Sequence, residues 1–286
     1  MARAGAGALM GIEASYLPDG ARLHLHHGPI DLILWADADT RKAAYTLATD
    51  RFSGLLEELV TELPVLRSPA PRTPEGPVAR RMAAAVAPYA AEFITPMAAV
   101  AGAVADAVLA AMADAPGLTK AHVNNGGDIA FHLAPGQSLT AAIAGAPAGL
   151  RLTADQPFRG LATSGWRGRS HSLGIADAVT VIARSAAEAD AAATMIANAV
   201  NLPGHPSIIR RPACDLAPDS DLGPRLVTVD VGPLSAAESA HALDRGLAAA
   251  RRYHARGLIG AALLSLNGLT RTAGAVPTPE PELAHD

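Results

Sequence analysis

The sequence predicts an α+β fold, and three observations carry that reading. Short β-prone runs come in groups separated by strong turn signals. Ala-rich helical stretches come in groups of their own. Strand and helix do not alternate singly, as a doubly wound parallel sheet would require. The 286 residues suffice for one large domain, or two intimately packed halves, with a sizeable core. Of these residues 50% are apolar and only 3% aromatic, so the core is aliphatic and its close contacts are lined by alanine.

Taken in order, "GIEASYL", "ARLHLHH" and "DLILWA" read as strands separated by "PDG" and "HGP". An amphipathic helix follows, capped by Asp39 or Thr40. It carries Leu47, Phe52, Leu55, Leu56, Leu59 and Val60 at helical spacing and ends at Pro64. "PVLRSPAPRTPEGPV" is a Pro-rich surface loop. Helices are predicted over Val78–Phe93 and Pro96–Ala113, then strands in "KAHVNN", "DIAFHL", "SLTAAIA", "FRGLAT" and "ADAVTVIA". A helix over Ala186–Asn201, the strand "RLVTVDVG", a helix over Ser235–His254 and a last strand "LIGAALLSLNG" complete the pattern. One domain is expected over 1–272, and the Pro- and acid-rich tail 273–286 reads as disordered. No repeat is visible in the sequence.

The mild net charge of −4, without a basic stripe or exposed aromatics, argues against a nucleic-acid partner. The most apolar stretch, "MAAVAGAVADAVLAAMADA", is Ala-rich and interrupted by Asp106. It is expected to be a buried helix, so no membrane partner is expected. A single cysteine, Cys214, and no leader pattern suit a cytoplasmic protein. Ala-rich helices and an aliphatic surface would suit a homodimer.

Three stretches could carry chemistry. In "RSAAEADAAATMIANAV", Ser185 and Glu188 form a capping box. Asp190 and Thr194, four apart, share one helix face and offer two hard oxygens of the kind Mg²⁺ takes; the plainer reading is an acid placed favourably near a helix start. "GLATSGWRGRSHSLG" ends a strand in Thr163, Ser164 and Gly165 and adds Arg167 and Arg169, which could hold phosphate or carboxylate; the plainer reading is a solvated hairpin loop. "HVNNGGDIAFHL" sets Asn125, Gly126, Gly127 and Asp128 between two β runs. That pattern alone favours a plain two-residue hairpin over a ligand wall. His24 and His26 share one strand face with no third ligand nearby in sequence, and His171 is the histidine best placed for acid–base work. No residue is assigned as catalytic.

The order of these pieces resembles the ApbE superfamily, whose best-known members transfer FMN from FAD onto a protein threonine. The likeness runs from about Ile12 to Val200. "MAAVAGAVAD" is similar to the family's GAIAKGYAAD helix, "VNNGGDI" to its VNIGGDI turn, "LATSG" to its ATSG loop, and "VTVIARSAAEADAAAT" to its closing strand and Asp-x-x-x-Thr helix. The resemblance implies T-fold-like mixed sheets packed with Ala-rich helices. It implies Asp190 and Thr194 as Mg²⁺ ligands, helped by a carbonyl near Ala99–Ala101. It also implies a cleft for FAD, FMN or a similar anionic nucleotide, lined by Asn125–Asp128, Thr163–Gly165, Arg167 and Arg169. The chain departs from the family pattern in three places. Ala101-Gly102 stands for the family's Lys-Gly, "WRGR" follows the ATSG loop, and "SHSLGIAD" replaces its His-rich segment. These departures resemble the uncharacterised cytoplasmic branch. Three readings stay open: a Mg²⁺-dependent flavin or nucleotide transferase, a metabolite-binding or accessory protein of sulfur or amino-acid metabolism that works with a protein partner, and a scaffold whose ancestral site has decayed.

Overall fold

The computed structural model describes residues 11–70, 72–142, 149–168, 170–275 and 279–280. Three strands open the chain: β1 (Glu13–Tyr16), β2 (Leu23–His27) and β3 (Ile30–Ala36). Helices α1 (Arg41–Phe52), α2 (Leu55–Thr61), α3 (Leu63–Leu66), α4 (Pro77–Val86) and α5 (Val100–Ala113) follow. Next come β4 (Lys120–Asn125), β5 (Asp128–Leu133), β6 (Ser138–Ala141), β7 (Gly149–Thr153), β8 (Gly160–Ser164) and β9 (Ala178–Ala183). The rest is α6 (Ala186–Ala199), β10 (Ile208–Pro212), α7 (Ala213–Leu216), β11 (Leu226–Val231), α8 (Ala236–Ala255), β12 (Ala261–Leu266), β13 (Leu269–Gly274) and β14 (Pro279–Glu280).

Nine strands form one sheet in the order β1-β2-β3-β4-β5-β8-β9-β12-β13. Its neighbours pair antiparallel throughout. The same plan occurs twice along it: two strands, a helical excursion, two strands. In the first half β3 pairs with β4 across the excursion, and in the second β9 pairs with β12. The halves join through β5 and β8, so the fold is an α+β arrangement of antiparallel sheets and helices. On one face lie the helices, with α1 against α5, α5 against α6 and α6 against α8. β2, β3 and β4 alternate strictly: in β2, Leu23 and Leu25 are buried under the helices, while His24 and His26 share the other face. A small sheet, β6, β7 and β14, packs on that other face through Leu150 and Leu152 against Phe131, Leu161 and Ile182.

The segment Pro96–Ala113 has the length and apolar composition of a membrane span. Its α5 portion is instead packed in the protein interior, where Ala103, Val104, Ala105 and Val108 join the main core. This is where a 3.6-residue apolar pattern on all sides leads when sheet and helices surround it.

Several expectations need correction. The first amphipathic helix breaks at Ser53-Gly54, and Pro64 lies inside the first turn of α3 rather than ending a helix. A proline is tolerated there because the amide it lacks has no helical partner. Strands β7, β10 and β13 were not anticipated, since "GLRLT", "IIRRP" and "LTRTAG" mix charge with short apolar spacing. The expected disordered tail began at 273, yet β13 runs through Gly274, and Pro279–Glu280 pairs with β7; residues 276–278 and 281–286 lie outside the described residues. Cys214 is half-buried in the short helix α7.

Candidate functional site

The glycine pair is a hairpin turn first. Asn125 pairs with Asp128, and Gly126 and Gly127 between them have φ of 65° and 112°. Both values lie where a Cβ is strained, so two glycines suit the turn. Strand alternation then decides where the flanking side chains go. Asn124 lies on the outer face, where it accepts the Gly127 amide at 2.8 Å. Asn125 and Asp128 are buried on the helix face. There the Asn125 carboxamide donates to the Ala101 carbonyl in the first turn of α5 at 3.1 Å, and an Asp128 carboxylate oxygen accepts the Thr163 amide at 3.3 Å. The Thr163 hydroxyl is 2.8 Å from that of Thr180 on the neighbouring strand.

Helices α5 and α6 meet against this corner and cap one another. Asp106 of α5 accepts the amides of Ala186 and Ala187, the first two of α6, each at 3.0 Å. Asp190 of α6 accepts the Gly102 amide in the first turn of α5 at 3.0 Å. Each carboxylate thus satisfies amides that a helix start leaves without a partner, and each meets the positive end of the other helix's dipole. The exchange needs very close approach. A Cβ on Gly102 would lie 2.2 Å from the Ala186 carbonyl oxygen. At the same corner, a Cβ on Gly160 would lie 2.0 Å from the Ser185 carbonyl carbon. Ser185 itself caps α6, accepting the Glu188 amide at 3.2 Å.

Burial pushes the Asp190 carboxyl well above the ordinary range, and the nearby Asp128 charge pushes the same way. The Gly102 and Ala101 amides oppose them. Two carboxylates that disfavour each other's charge, with Thr194 half-buried one turn along α6, form the chemical centre of this corner. Among the described residues no set of three or more His, Cys, Asp or Glu is placed to hold a metal.

The sequence-predicted residues therefore divide. Asn125, Asp128, Thr163 and Asp190 are brought together through the start of α5, with Thr194 beside them. Gly126 and Gly127 border a hollow of about 310 Å³ with Asp31, Ile33 and Asn124, on the outer face of the sheet rather than against Asp190. Ser164 is half-buried at the end of β8. Gly165 is a packing glycine: a Cβ there would lie 2.4 Å from the Asp177 carbonyl oxygen. Arg167 pairs with Asp177 at 3.2 Å and lies over the Trp166 ring at 4.4 Å, so it is turned to its own loop. Beside it the Trp166 indole N–H is buried without a partner among the described residues. Arg169 lies outside the described residues, and His171 is exposed. Asp106 was overlooked as a site residue. Its signal was an isolated acid inside "AVADAV", which in a buried helix demands partners.

With this geometry in hand, known proteins provide a comparison. A family model described as AbpE bacteria matches residues 14–272. The chain belongs to that family. The AbpE assignment agrees with the ApbE resemblance carried by the motifs and extends it beyond Val200, through α8 to β13. Among curated proteins, a UPF0280 protein of Methanococcoides burtonii is 40% identical over 124 residues, covering 40% of this chain and 49% of its own length. A UPF0280 protein of Methanopyrus kandleri is 40% identical over 141 residues, 44% of this chain and 52% of its own. The match thus spans about half the length of these relatives. Among solved structures, the apo form of Pseudomonas stutzeri flavinyl transferase ApbE aligns with a TM-score of 0.34 and 16% identity, over 63% of this chain and 48% of that one.

Proposed function

We propose that this AbpE-family protein is a metal-assisted transferase acting on the pyrophosphate of a flavin or similar nucleotide at the corner where β5, β8, α5 and α6 meet. The observation that carries the reading is the Asp128–Asp190 carboxylate pair, held between the first turn of α5 and the Thr163 amide. Burial is the main cause that raises Asp190, and a divalent cation would offset both that cost and the repulsion from Asp128. Asp190 and Thr194 would hold it, with Asp128 facing it. This donor set suits Mg²⁺, which accepts one or two carboxylates and keeps several other positions for water and phosphate. Bound there, the ion would supply charge neutralisation to a pyrophosphate under attack. The chain's own part is positioning. Asn125 ties the hairpin to α5, and Asp128 fixes the strand end at Thr163. Ala101 in place of the family's lysine removes one cation, which makes the metal the main source of positive charge. The binding-protein reading drew on Arg167, Arg169 and Cys214, and of these Arg167 is paired with Asp177 at 3.2 Å.

The test is calorimetric titration of FAD with and without Mg²⁺, with AMP release as the activity readout. Mg²⁺-dependent binding is expected, lost in Asp190→Asn and weakened in Thr194→Val. No binding of FAD or of other dinucleotides, together with no AMP release, would remove the reading. Two further outcomes are expected at the same residue. Asp190→Asn should keep or raise the melting temperature, because a neutral amide oxygen can still accept from Gly102 while the unfavourable buried charge is gone. Mg²⁺ affinity in the wild type should fall on acidification well before pH 4, because the metal-binding form needs Asp190 deprotonated and its pKa is raised. An Mg²⁺ affinity that stays constant on acidification until the ordinary carboxylate range near pH 4 would argue against Asp190 as a ligand.

A further inference from the structure

A second feature lies along the same helix layer, away from the carboxylate pair. Asn198 lies eight residues beyond Asp190 on α6, about 12 Å along its axis. Between α6, α8 and the segment ahead of α5 runs a groove of about 590 Å³, a size that takes a drug-sized molecule. Its polar lining is dominated by donors. Arg245 and Arg252, two turns apart on α8, both line it, and neither has an ion-pair partner among the described residues. Asp244, next to Arg245, is taken by Arg271 at 2.9 Å. The Asn198 carbonyl oxygen is occupied by the Leu173 amide at 2.9 Å, which leaves its NH₂ as the group the groove can use. The one acid on the wall, Glu92, accepts the Tyr253 hydroxyl at 3.2 Å. The apolar lining includes Phe93, Met195 and Leu173, and Arg225 lies over the Phe93 ring at 3.2 Å.

We infer that this groove is a second binding site, for an organic oxyanion whose apolar or aromatic body lies on Phe93 and Met195 while its carboxylate or phosphate meets Arg245 and Arg252. Arg252 lies over the Tyr253 ring at 5.9 Å but, like Arg245, has no ion-pair partner among the described residues. Two such guanidinium groups beside an apolar wall select for both parts of such a ligand, and guanidinium pairs oxyanions with directed hydrogen bonds. The inference is independent of the nucleotide site, since none of Asp128, Thr163, Asp190 and Thr194 lines the groove.

Isothermal titration with phenyl phosphate tests it, with inorganic phosphate and benzyl alcohol as the head and body alone. Phenyl phosphate is expected to bind saturably, roughly tenfold or more tighter than either fragment. Arg245→Gln combined with Arg252→Gln should weaken it by roughly tenfold or more. Both side chains are exposed, so the variant should melt as the wild type does. Thr194→Val should leave this affinity unchanged. Unaltered binding in the double arginine variant overturns the inference. So does inorganic phosphate binding as tightly as phenyl phosphate, or loss of phenyl phosphate binding in Thr194→Val, which would make the two sites one.

Discussion

Gly102→Val is expected to lose about 3 kcal/mol of folding stability or to fail to fold, read as the shift in a urea unfolding midpoint. In an ordinary helix interior, replacing glycine by alanine gains about 1 kcal/mol. Here the first carbon of any side chain would lie 2.2 Å from the Ala186 carbonyl oxygen, 2.4 Å from its carbonyl carbon and 2.7 Å from the Ala187 amide. All three are backbone atoms at the start of α6, so no rotamer change relieves the clash. The helices must separate, and separation breaks both the Asp190–Gly102 and the Asp106–α6 hydrogen bonds. The clash therefore outweighs the helix-propensity gain even for Gly102→Ala, which should also destabilise. Gly127 is the contrast. It has open space around its Cβ position but a φ of 112°, so its replacement costs backbone strain of roughly 1–3 kcal/mol and leaves the helix seam intact. A Gly102→Ala variant as stable as the wild type would show that α5 and α6 do not approach as closely as described.

Asp106→Ala should cost about 3 kcal/mol in the same measurement. The substitution leaves the amides of Ala186 and Ala187 buried without acceptors, at about 1–3 kcal/mol each. Against this stands relief of the carboxylate's own burial, which holds its pKa above the ordinary value despite the two amides and Arg81, 3.6 Å away. Asp106→Asn keeps one acceptor and turns an NH₂ toward the other amide, so an intermediate loss is expected. The pH dependence follows from the sign of the shift. A carboxyl with a raised folded-state pKa adds stability that is complete below its unfolded value near 4 and declines as pH rises to the folded value. Asp190, whose carboxyl is raised as well, adds a decline of the same sign to both proteins, so comparing wild type with Asp106→Asn from pH 4 upward should show a steeper decline in the wild type. An equal slope in both would assign it to other groups.

Much of this architecture was legible from residue order. Alternation placed Leu23, Leu25, His24 and His26 on the correct faces, because strand side chains have a period of two. The dipeptide Gly126-Gly127 located the β4–β5 turn to the residue, because the turn needs two positive φ values. The pairing of Ser185 with Glu188 located the start of α6 in the same local way. The motif order also pointed to the family. β10 and β13 escaped because their charged, half-exposed sequences carry no continuous apolar run, and their pairing partners decide them.

What the sequence determined by itself was local: strand faces, turn positions, helix starts and the candidacy of Asp128, Asp190 and Thr194. The tertiary structure decided what those residues do to one another. Asp106 and Asp190 are 84 positions apart and had no visible connection. They become reciprocal helix caps only because two helices from different halves of the chain pack at glycine distance. Arg167, a plausible anion ligand in sequence, is turned to Asp177 by the fold of its own loop. Hydrogen bonds and charge repulsion act over a few ångströms of space, and spacing along the chain reports that distance only within a helix turn, a strand pair or a tight turn.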